Sequence, residues 1–219
     1  MKMKWLHLGI MALALVVMPL RSNAPAAGMV TNWTGAGGDN NWDNALNWDN
    51  GVPLTGSGAY LNQSGVTVNY VNGSNPTLGY VEVDDTSGLL NGSYLNQTQD
   101  TLTADYMTVG NVGNGSYDLT GTGSLVVNNN LTVGASTGST GWVGQSGGSV
   151  SISGGYGALT LGRDAGAYGQ YELWGGTLTL VGSEEYIGEN GEGFFYQDGG
   201  THEINGVMYL GVQSTGYGE

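Results

Sequence analysis

Asp118 and Glu172 are the carboxylates whose spacing comes closest to that of a catalytic pair. They occupy equivalent places in repeats of the 219-residue chain, on a predicted outward column two coils apart. Coils stacked about 4.8 Å apart would separate them by roughly 9.6 Å, near the upper limit for the acid and base of an inverting glycosidase. Such sites also need Lys or Arg to stabilise charge, and Arg163 is the one basic residue after Arg21. We therefore expect a non-enzyme, with polysaccharide cleavage as the alternative.

Other catalytic and metal-binding chemistry lacks the residues it needs. The chain has no cysteine, and His202 is its one histidine beyond residue 7, so a zinc site is not expected. A Ser-His-Asp triad would have to use His202, but no nucleophile-elbow motif accompanies it. His202 stands where other repeats have Leu125 and Leu178, which predicts a place in or near the core. The acidic neighbours at 84–85 and 184–185 should face opposite sides of a strand and form no dyad.

A calcium loop is the weak metal candidate. Asp39, Asn41 and Asp43 match its first ligand positions. Asn44 stands where the loop expects Gly, and Asn50 where it expects Glu. An Asn-rich turn is the favoured interpretation, calcium is the alternative, and no other cofactor is expected.

Four residues are candidates for a ligand-binding surface: Asp118, Glu172, Tyr186 and Tyr209. Alternation along a strand turns the two tyrosines outward, where their rings would stack on sugars. Stacking of one tyrosine on the other in a ladder explains them equally well.

The N-terminus has the pattern of a secretory signal peptide. Lys2 and Lys4 precede an apolar run over 5–20, and residues 24–26 read Ala-Pro-Ala. This predicts a leader over 1–26 that is cleaved after its last residue. An uncleaved membrane anchor is the alternative, although the run is shorter than the roughly 20 residues that a span needs.

Cleavage would leave a strongly acidic protein. Arg163 would remain as the single basic side chain against 18 carboxylates, a formal net charge of −17. Such a surface repels nucleic acid and anionic lipid, which excludes both as partners. The absence of cysteine means that an exported chain would be stabilised without disulfides.

A hydrophobic residue followed by Gly recurs at intervals of 24, 28, 26 and 23 residues. A period of this size indicates a solenoid or array, and it is too short for a propeller blade of about 40–45 residues. The pairs are Val109-Gly110, Val133-Gly134, Leu161-Gly162, Ile187-Gly188 and Leu210-Gly211.

Each repeat contains three short strands separated by Gly-rich corners. The prediction is an all-β parallel β-helix (β-solenoid) with about 23–28 residues per coil, three short strands per coil and an N-terminal Trp-rich cap. Inward pairs are expected at Leu125/Val127, Val150/Ile152, Leu178/Leu180 and His202/Ile204, a third strand at Tyr117/Leu119, Val143/Gln145, Tyr171/Leu173 and Phe195/Gln197, and an outward ladder at Thr108, Thr132, Thr160, Tyr186 and Tyr209.

The region before the repeats has a different composition. Residues 27–58 are rich in Trp, Asn, Asp and Gly, and we interpret them as an N-terminal cap with buried Trp over the solenoid of residues 59–219. A solenoid needs such a cover because bare edge strands aggregate.

The cap carries a W-x-G…W-x(5)-W…P pattern, formed by Trp33, Gly35, Trp42, Trp48 and Pro53. With the repeats "LTVG", "QSGGSV" and "YELWGGTL", it resembles the N-terminal region of bacterial exported β-strand-repeat proteins. That group includes autotransporter passengers and surface proteins with a PEP-CTERM sorting tail. The resemblance implies a β-solenoid that is extracellular or on the outer surface of a bacterium.

The function expected from these features is a non-enzymatic structural or adhesive surface element. Its partners would be extracellular polysaccharide or the surface of a host or neighbouring cell. A carbohydrate-binding or polysaccharide-cleaving β-helix is the alternative. The last coil begins at Met208 and stops before its Gly-Gly-Thr strand. We expect a truncated piece of a longer protein, tethered to a membrane only through a region outside this chain. End-to-end self-association is the alternative.

Overall fold

The computed structural model describes residues 28–71, 75–87, 92–154 and 157–219. The predicted signal peptide lies outside them. The regular secondary structure of the described chain is β-strand apart from one 3-10 turn. None of its helices is long and apolar enough to cross a membrane. The strands are β1 (Val30–Asn32), β2 (Gly58–Leu61), β3 (Thr67–Tyr70), β4 (Thr77–Val83), β5 (Ser93–Gln97), β6 (Thr101–Val109), β7 (Asn114–Leu119), β8 (Ser124–Val127), β9 (Asn130–Val133), β10 (Thr140–Ser153), β11 (Ala158–Leu161), β12 (Tyr168–Val181), β13 (Glu184–Ile187), β14 (Glu192–Gln197), β15 (Thr201–Asn205), β16 (Met208–Leu210) and β17 (Tyr217–Gly218), and the 3-10 helix is Ala45–Asn47.

Successive coils form three parallel sheets, which confirms the predicted parallel β-helix. The helix has about seven turns. Sheet I runs through β1, β2, β4, β6, β9, β11, β13 and β16. Sheet II runs through β3, β5, β7, β10, β12, β14 and β17. Sheet III contains the first part of β4 and of β6, then β8, the second part of β10 and of β12, and β15.

The core consists of inward columns that run from coil to coil. In sheet III the predicted inward pairs stand in register, and each residue from Leu125 to Leu180 in these columns is at most 1% exposed. Burial of a Leu, Val or Ile side chain stabilises the fold by about 1.5–3 kcal/mol. The columns are Leu102, Leu125, Val150, Leu178 and His202, and Ala104, Val127, Ile152, Leu180 and Ile204.

The predicted outward ladder also stands in register along sheet I. Its threonines alternate with core residues along their strands but are covered by their neighbours, so that Thr108 is only 6% exposed. The Tyr80 hydroxyl donates a 2.7 Å hydrogen bond to Thr108 Oγ1. The threonines of this ladder therefore pack within sheet I and do not form an open surface.

Glycine forms the corner between sheets I and II in two columns. The first column has φ between 60° and 71°, a left-handed conformation that favours glycine, and this confirms the predicted corner residues. The second column faces the neighbouring coil so closely that a Cβ on Gly141 would overlap the carbonyl oxygen of Val109 and the amide nitrogen of Gly134. The columns are Gly110, Gly134, Gly162, Gly188 and Gly211, and Gly115, Gly141, Gly169, Gly193 and Gly218.

The cap is built on three tryptophans that are at most 4% exposed. The ring of Trp48 packs edge-on against Trp33 at 5.1 Å and Trp42 at 4.8 Å between centroids, and its Nε1 donates to the carbonyl of Trp42. Trp42 in turn packs on Tyr70 at 5.2 Å, which covers the first coil. Sheet I already begins at β1, inside the 27–58 segment, because β1 pairs in register with β2.

We predict that Gly141→Ala destabilises the protein by about 3 kcal/mol or more, because the added methyl group forces the corner backbones apart. Gly138→Ala is the matched control, since Gly138 has φ +82° but no heavy atom within 4 Å of a Cβ. That variant should cost only about 1–2 kcal/mol for the left-handed backbone. Denaturant unfolding of both variants measures the difference, and equal losses would contradict close coil contact as the cause.

Candidate functional site

The outer face of sheet II carries aromatic and polar side chains in register from coil to coil. We call two of its columns the aromatic column and the acidic column. Their residues stand in register from β5 to β14. The aromatic column is Tyr94, Ser116, Trp142, Gln170 and Phe194, and the acidic column is Asn96, Asp118, Gly144, Glu172 and Tyr196.

The two columns alternate with a period of two coils. Coils with Tyr94 or Trp142 in the aromatic column have no carboxylate in the acidic column, whereas the coils between and after them contribute Asp118 and Glu172. Aromatic residues in the aromatic column are therefore separated by roughly 9.6 Å, twice the coil spacing. The outer face is a repeated pattern rather than a single constellation.

The interior of sheet II follows the same two-coil alternation. The buried hydroxyl of Tyr117 donates to Gln97 Oε1 at 2.6 Å, and that of Tyr171 donates to Gln145 Oε1 at 2.6 Å. Each glutamine side chain also donates to backbone carbonyls, for example Gln145 Nε2 to Thr177 O at 3.1 Å. These bonds satisfy polar groups that would otherwise be costly to bury.

A cleft of about 390 Å³ opens on this face over Ser116. Tyr94 and Trp142 line it from the coils on either side, and Asn114 and Thr140 add polar groups. The cleft exists because Ser116 is the one small side chain among the aromatic column's five residues. At the next equivalent place Gln170 fills the gap.

Asp118 and Glu172 lie on the same column two coils apart, as expected, with Gly144 between them. The Tyr94 hydroxyl donates to Asp118 Oδ2, and the Gln170 amide donates to Glu172 Oε1. Burial raises the pKa of Asp118 above its usual range, the bond from Tyr94 opposes that shift, and the Glu172 charge adds to it. The negative charge of Glu172 therefore acts on Asp118 along this column.

Trp142 lies across the space above Gly144. A Cβ on Gly144 would overlap the indole ring of Trp142 and crowd Asp118 Oδ1. Trp174, which is 44% exposed, packs beside this ring at 5.9 Å between centroids. Trp174 occupies an extra position in β12, since Gln145 pairs with Leu173 and the next pair is Ser146 with Gly175.

Tyr186 and Tyr209 stack face to face, with ring centroids 4.9 Å apart and an interplanar angle of 8°. The Tyr186 hydroxyl donates to Glu184 Oε2, and this bond is the largest cause of the rise in the pKa of Tyr186 to about 12. One face of each ring is covered by the other tyrosine. A sugar would therefore meet only the remaining faces and edges.

The calcium candidates lie in the cap. The Asp39 carboxylate accepts from the Asn41 amide, from the Asn44 side chain at 3.0 Å and from the Asn47 side chain at 2.7 Å. The backbone bond to Asn41 and then the two side-chain bonds hold the pKa of Asp39 below its ordinary value. Asn41 Oδ1 accepts from the Asp43 amide at 3.1 Å. Across the described ranges no three His, Cys, Asp or Glu residues are grouped as a metal site would require.

His202 and Glu185 meet in the core, a contact that the sequence did not indicate. Nε2 of His202 lies 3.3 Å from Oε2 of Glu185, whose side chain is fully buried. This is an ion-pair distance, but the geometry is not that of a hydrogen bond. His202 Nε2 and the Glu185 carboxylate oxygens are therefore buried without a hydrogen-bond partner. The imidazole stacks on Phe195 at 4.5 Å. We regard the pair as a core contact because its atoms are closed off from ligand.

The paired acidic neighbours behave differently from each other. Glu184 and Glu185 face opposite sides of β13 as expected, the latter buried. Asp84 and Asp85 instead follow β4, and both are buried. The expectation of opposite faces assumed a strand, and it does not apply to these two residues because they form a corner beyond the end of β4. The Asp84 carboxylate accepts three backbone amides, from residues 111–113 of the next coil.

The fold and its outer face define a class of protein, a parallel β-solenoid with a Trp-rich cap and an acidic, aromatic sheet face. No protein-family model matches the chain, no curated protein matches it, and no solved structure matches it. The function of the chain is therefore inferred from the site itself.

Sequence reasoning found Asp118 and Glu172 in their true column but missed the cleft beside them. Tyr94, Ser116 and Trp142 fall in three different repeats, and the 23–28-residue period does not show that they alternate. Comparison of residues two coils apart would have revealed it, because Tyr94, Trp142 and Phe194 recur at intervals of 48 and 52 residues.

We predict that Asp118→Asn stabilises the protein at neutral pH. The folded-state pKa of Asp118 is raised mainly by burial, so this carboxyl favours folding below its ordinary value of 3.8 and loses that contribution as the pH rises through the raised value. Asn removes the charge and can still accept from Tyr94. Thermal melts at about pH 4 and about pH 7 should show an advantage of the variant that grows with pH. The same pH-dependent gain in the exposed control Asp198→Asn would contradict this cause.

Proposed function

We propose that the chain is a non-enzymatic, exported β-solenoid that acts as a structural or adhesive element at the outer surface of a bacterial cell. The observation that carries this proposal is the repeated outer face of sheet II, where aromatic and acidic side chains alternate in register over five coils. A surface that repeats from coil to coil suits contact with an extended partner. An active site would instead need its catalytic residues brought together at one place.

The described carboxylates and histidine support this view because several of them are used within the fold. Asp84 holds a corner, Asp39 holds the cap and Glu185 faces His202 in the core. Each forms contacts that leave it little freedom to act on a substrate. The side chains that remain on the outer face of sheet II are acidic and aromatic, and such side chains suit the binding of a partner.

Export is proposed from the leader pattern of residues 1–26 and from the composition. A cysteine-free chain with a formal charge of −17 beyond the leader is soluble through self-repulsion. Stability comes from the backbone ladder between coils. The resemblance to exported β-strand-repeat proteins agrees with this location.

Polysaccharide cleavage is the second candidate, favoured by one observation. Asp118 has a raised pKa and lies two coils from the carboxylate of Glu172, a pattern that acid–base pairs share. Against it, Arg163 is the single Lys or Arg in the described residues, and its Nε lies 3.1 Å from Asp164 Oδ1 at a corner. Within the part of the chain that the structure describes, no Lys or Arg is therefore placed to stabilise charge at the acidic column.

We predict that the full chain, expressed in a bacterium, is exported and loses residues 1–26. N-terminal sequencing of the secreted product should begin at Ala27. Ala26→Asp should block cleavage, because the site requires a small residue, whereas the control Ala26→Ser should be processed normally. Retention of the wild-type chain in the cytoplasm would overturn the proposed location.

We predict no turnover of polysaccharide. Incubation of the wild-type protein with cellulose, chitin or pectin should release no more reducing ends than the double variant Asp118→Asn/Glu172→Gln, because the acidic column lacks a cation to stabilise charge. Release by the wild type that the double variant abolishes would replace the structural proposal with the hydrolase one.

A further inference from the structure

The cleft over Ser116 has the dimensions of a site for one small ring. Its aromatic walls, Tyr94 and Trp142, come from coils about 9.6 Å apart. A ring bound between the two walls would make one carbon–carbon contact of about 4 Å with each wall. The remaining distance is about the thickness of one puckered ring. A pyranose has this shape, with C–H groups that pack on aromatic surfaces.

Polar groups border the cleft where the hydroxyls of such a ring would emerge. Asn114 and Thr140 line it. The Asp118 carboxylate adjoins it through the hydrogen bond from the Tyr94 hydroxyl. Amide, hydroxyl and carboxylate groups together donate to and accept from sugar hydroxyls, and aromatic walls with a few polar groups are typical of small-molecule sites.

Charge restricts what enters the cleft. Asp118 lies beside it, Glu172 lies two coils further along the same column, and the described chain holds 18 carboxylates against Arg163. Phosphate, carboxylate and sulfate groups are repelled by this field. A neutral ring is accepted, and an amine is attracted by the carboxylate and by the aromatic faces.

We propose that the cleft formed by Tyr94, Ser116 and Trp142 binds one pyranose ring of an uncharged or amine-bearing polysaccharide. This assignment rests on the proposed surface role and names its partner. The acidic column provides the hydrogen-bond acceptor at one end of the cleft, and Ser116 provides the space.

The equivalent place two coils away acts as an internal comparison. There Gln170 stands between Trp142 and Phe194. Its amide bonds to Glu172, and its Oε1 accepts from the Tyr168 hydroxyl at 2.6 Å. The gap is filled by a side chain that the fold already tolerates at that column position. Ser116→Gln therefore fills the cleft by copying a neighbour, which makes it a conservative test.

The test is isothermal titration of the full-length protein with three soluble probes: a cello-oligosaccharide, a chitosan oligosaccharide and oligogalacturonate. The wild type should bind the neutral or the amine-bearing probe and not the acidic one. Trp142→Ala should weaken binding at least about 10-fold, the factor that corresponds to 1.4 kcal/mol. Ser116→Gln should abolish it. Tyr106→Ala removes an aromatic residue that is 46% exposed on sheet I and should bind like the wild type.

Circular dichroism melts of each variant separate loss of binding from loss of folding. The proposal is overturned if the wild type binds neither the neutral nor the amine-bearing probe, if it binds oligogalacturonate, or if a folded Ser116→Gln binds like the wild type. Export of a chain that binds no probe would overturn the cleft assignment alone. Binding by a chain that stays in the cytoplasm would overturn the surface role and leave the cleft assignment standing.

Discussion

Backbone hydrogen bonding between successive coils, held at one register, is the constraint on which the rest of the structure depends. At the corner between sheets I and II, the amide of each glycine in the first corner column donates to a carbonyl of the coil before it. Gly134 donates to Val109 and Gly162 donates to Val133, both at 2.9 Å. The coils are therefore held at the closest spacing that the peptide backbone allows. Glycine is required at the corner positions where a Cβ would overlap the backbone of the neighbouring coil, as at Gly141.

This spacing decides what the side chains can do. Because like positions lie directly above one another, every column repeats one environment, apolar inside and stackable outside. A polar residue inside can therefore find a partner in an adjoining coil, as the Tyr171 hydroxyl donates to Gln145. On the outside, the same rule places residues from separate repeats within reach of one ligand, which is how Tyr94 and Trp142 come to line one cleft.

Much of the fold could be predicted because the repeat is a local signal. The Val-Gly and Leu-Gly pairs marked the corner, and the alternation of Leu178 and Leu180 marked the inward face. The burial of polar residues was not predictable in this way. Glu185 and Gln145 have polar side chains, yet both lie fully inside the fold. Their burial depends on partners far away in the chain, and a pattern within one repeat does not contain those partners.

The candidate site also has one part that the sequence predicted and one part that it did not. Alternation along a strand was enough to place Asp118 and Glu172 on one outward column. The cleft depends on the relative sizes of Tyr94, Ser116 and Trp142 in three consecutive coils, which only their register brings together. The pattern within a single coil predicts which residues face outward. It does not predict the cleft, which depends on side-chain sizes in neighbouring coils.

The alternation of sheet II over two coils has a consequence for how such a chain can lengthen or shorten. Gln97, Gln145 and Gln197 recur at intervals of 48 and 52 residues, and the tyrosines that bond the first two lie one coil further on. Loss of a single coil would set two glutamines or two tyrosines side by side and leave their hydrogen bonds without partners. Removal or addition of two coils at once would keep each tyrosine next to its glutamine, so two coils form the unit that preserves the interior of sheet II.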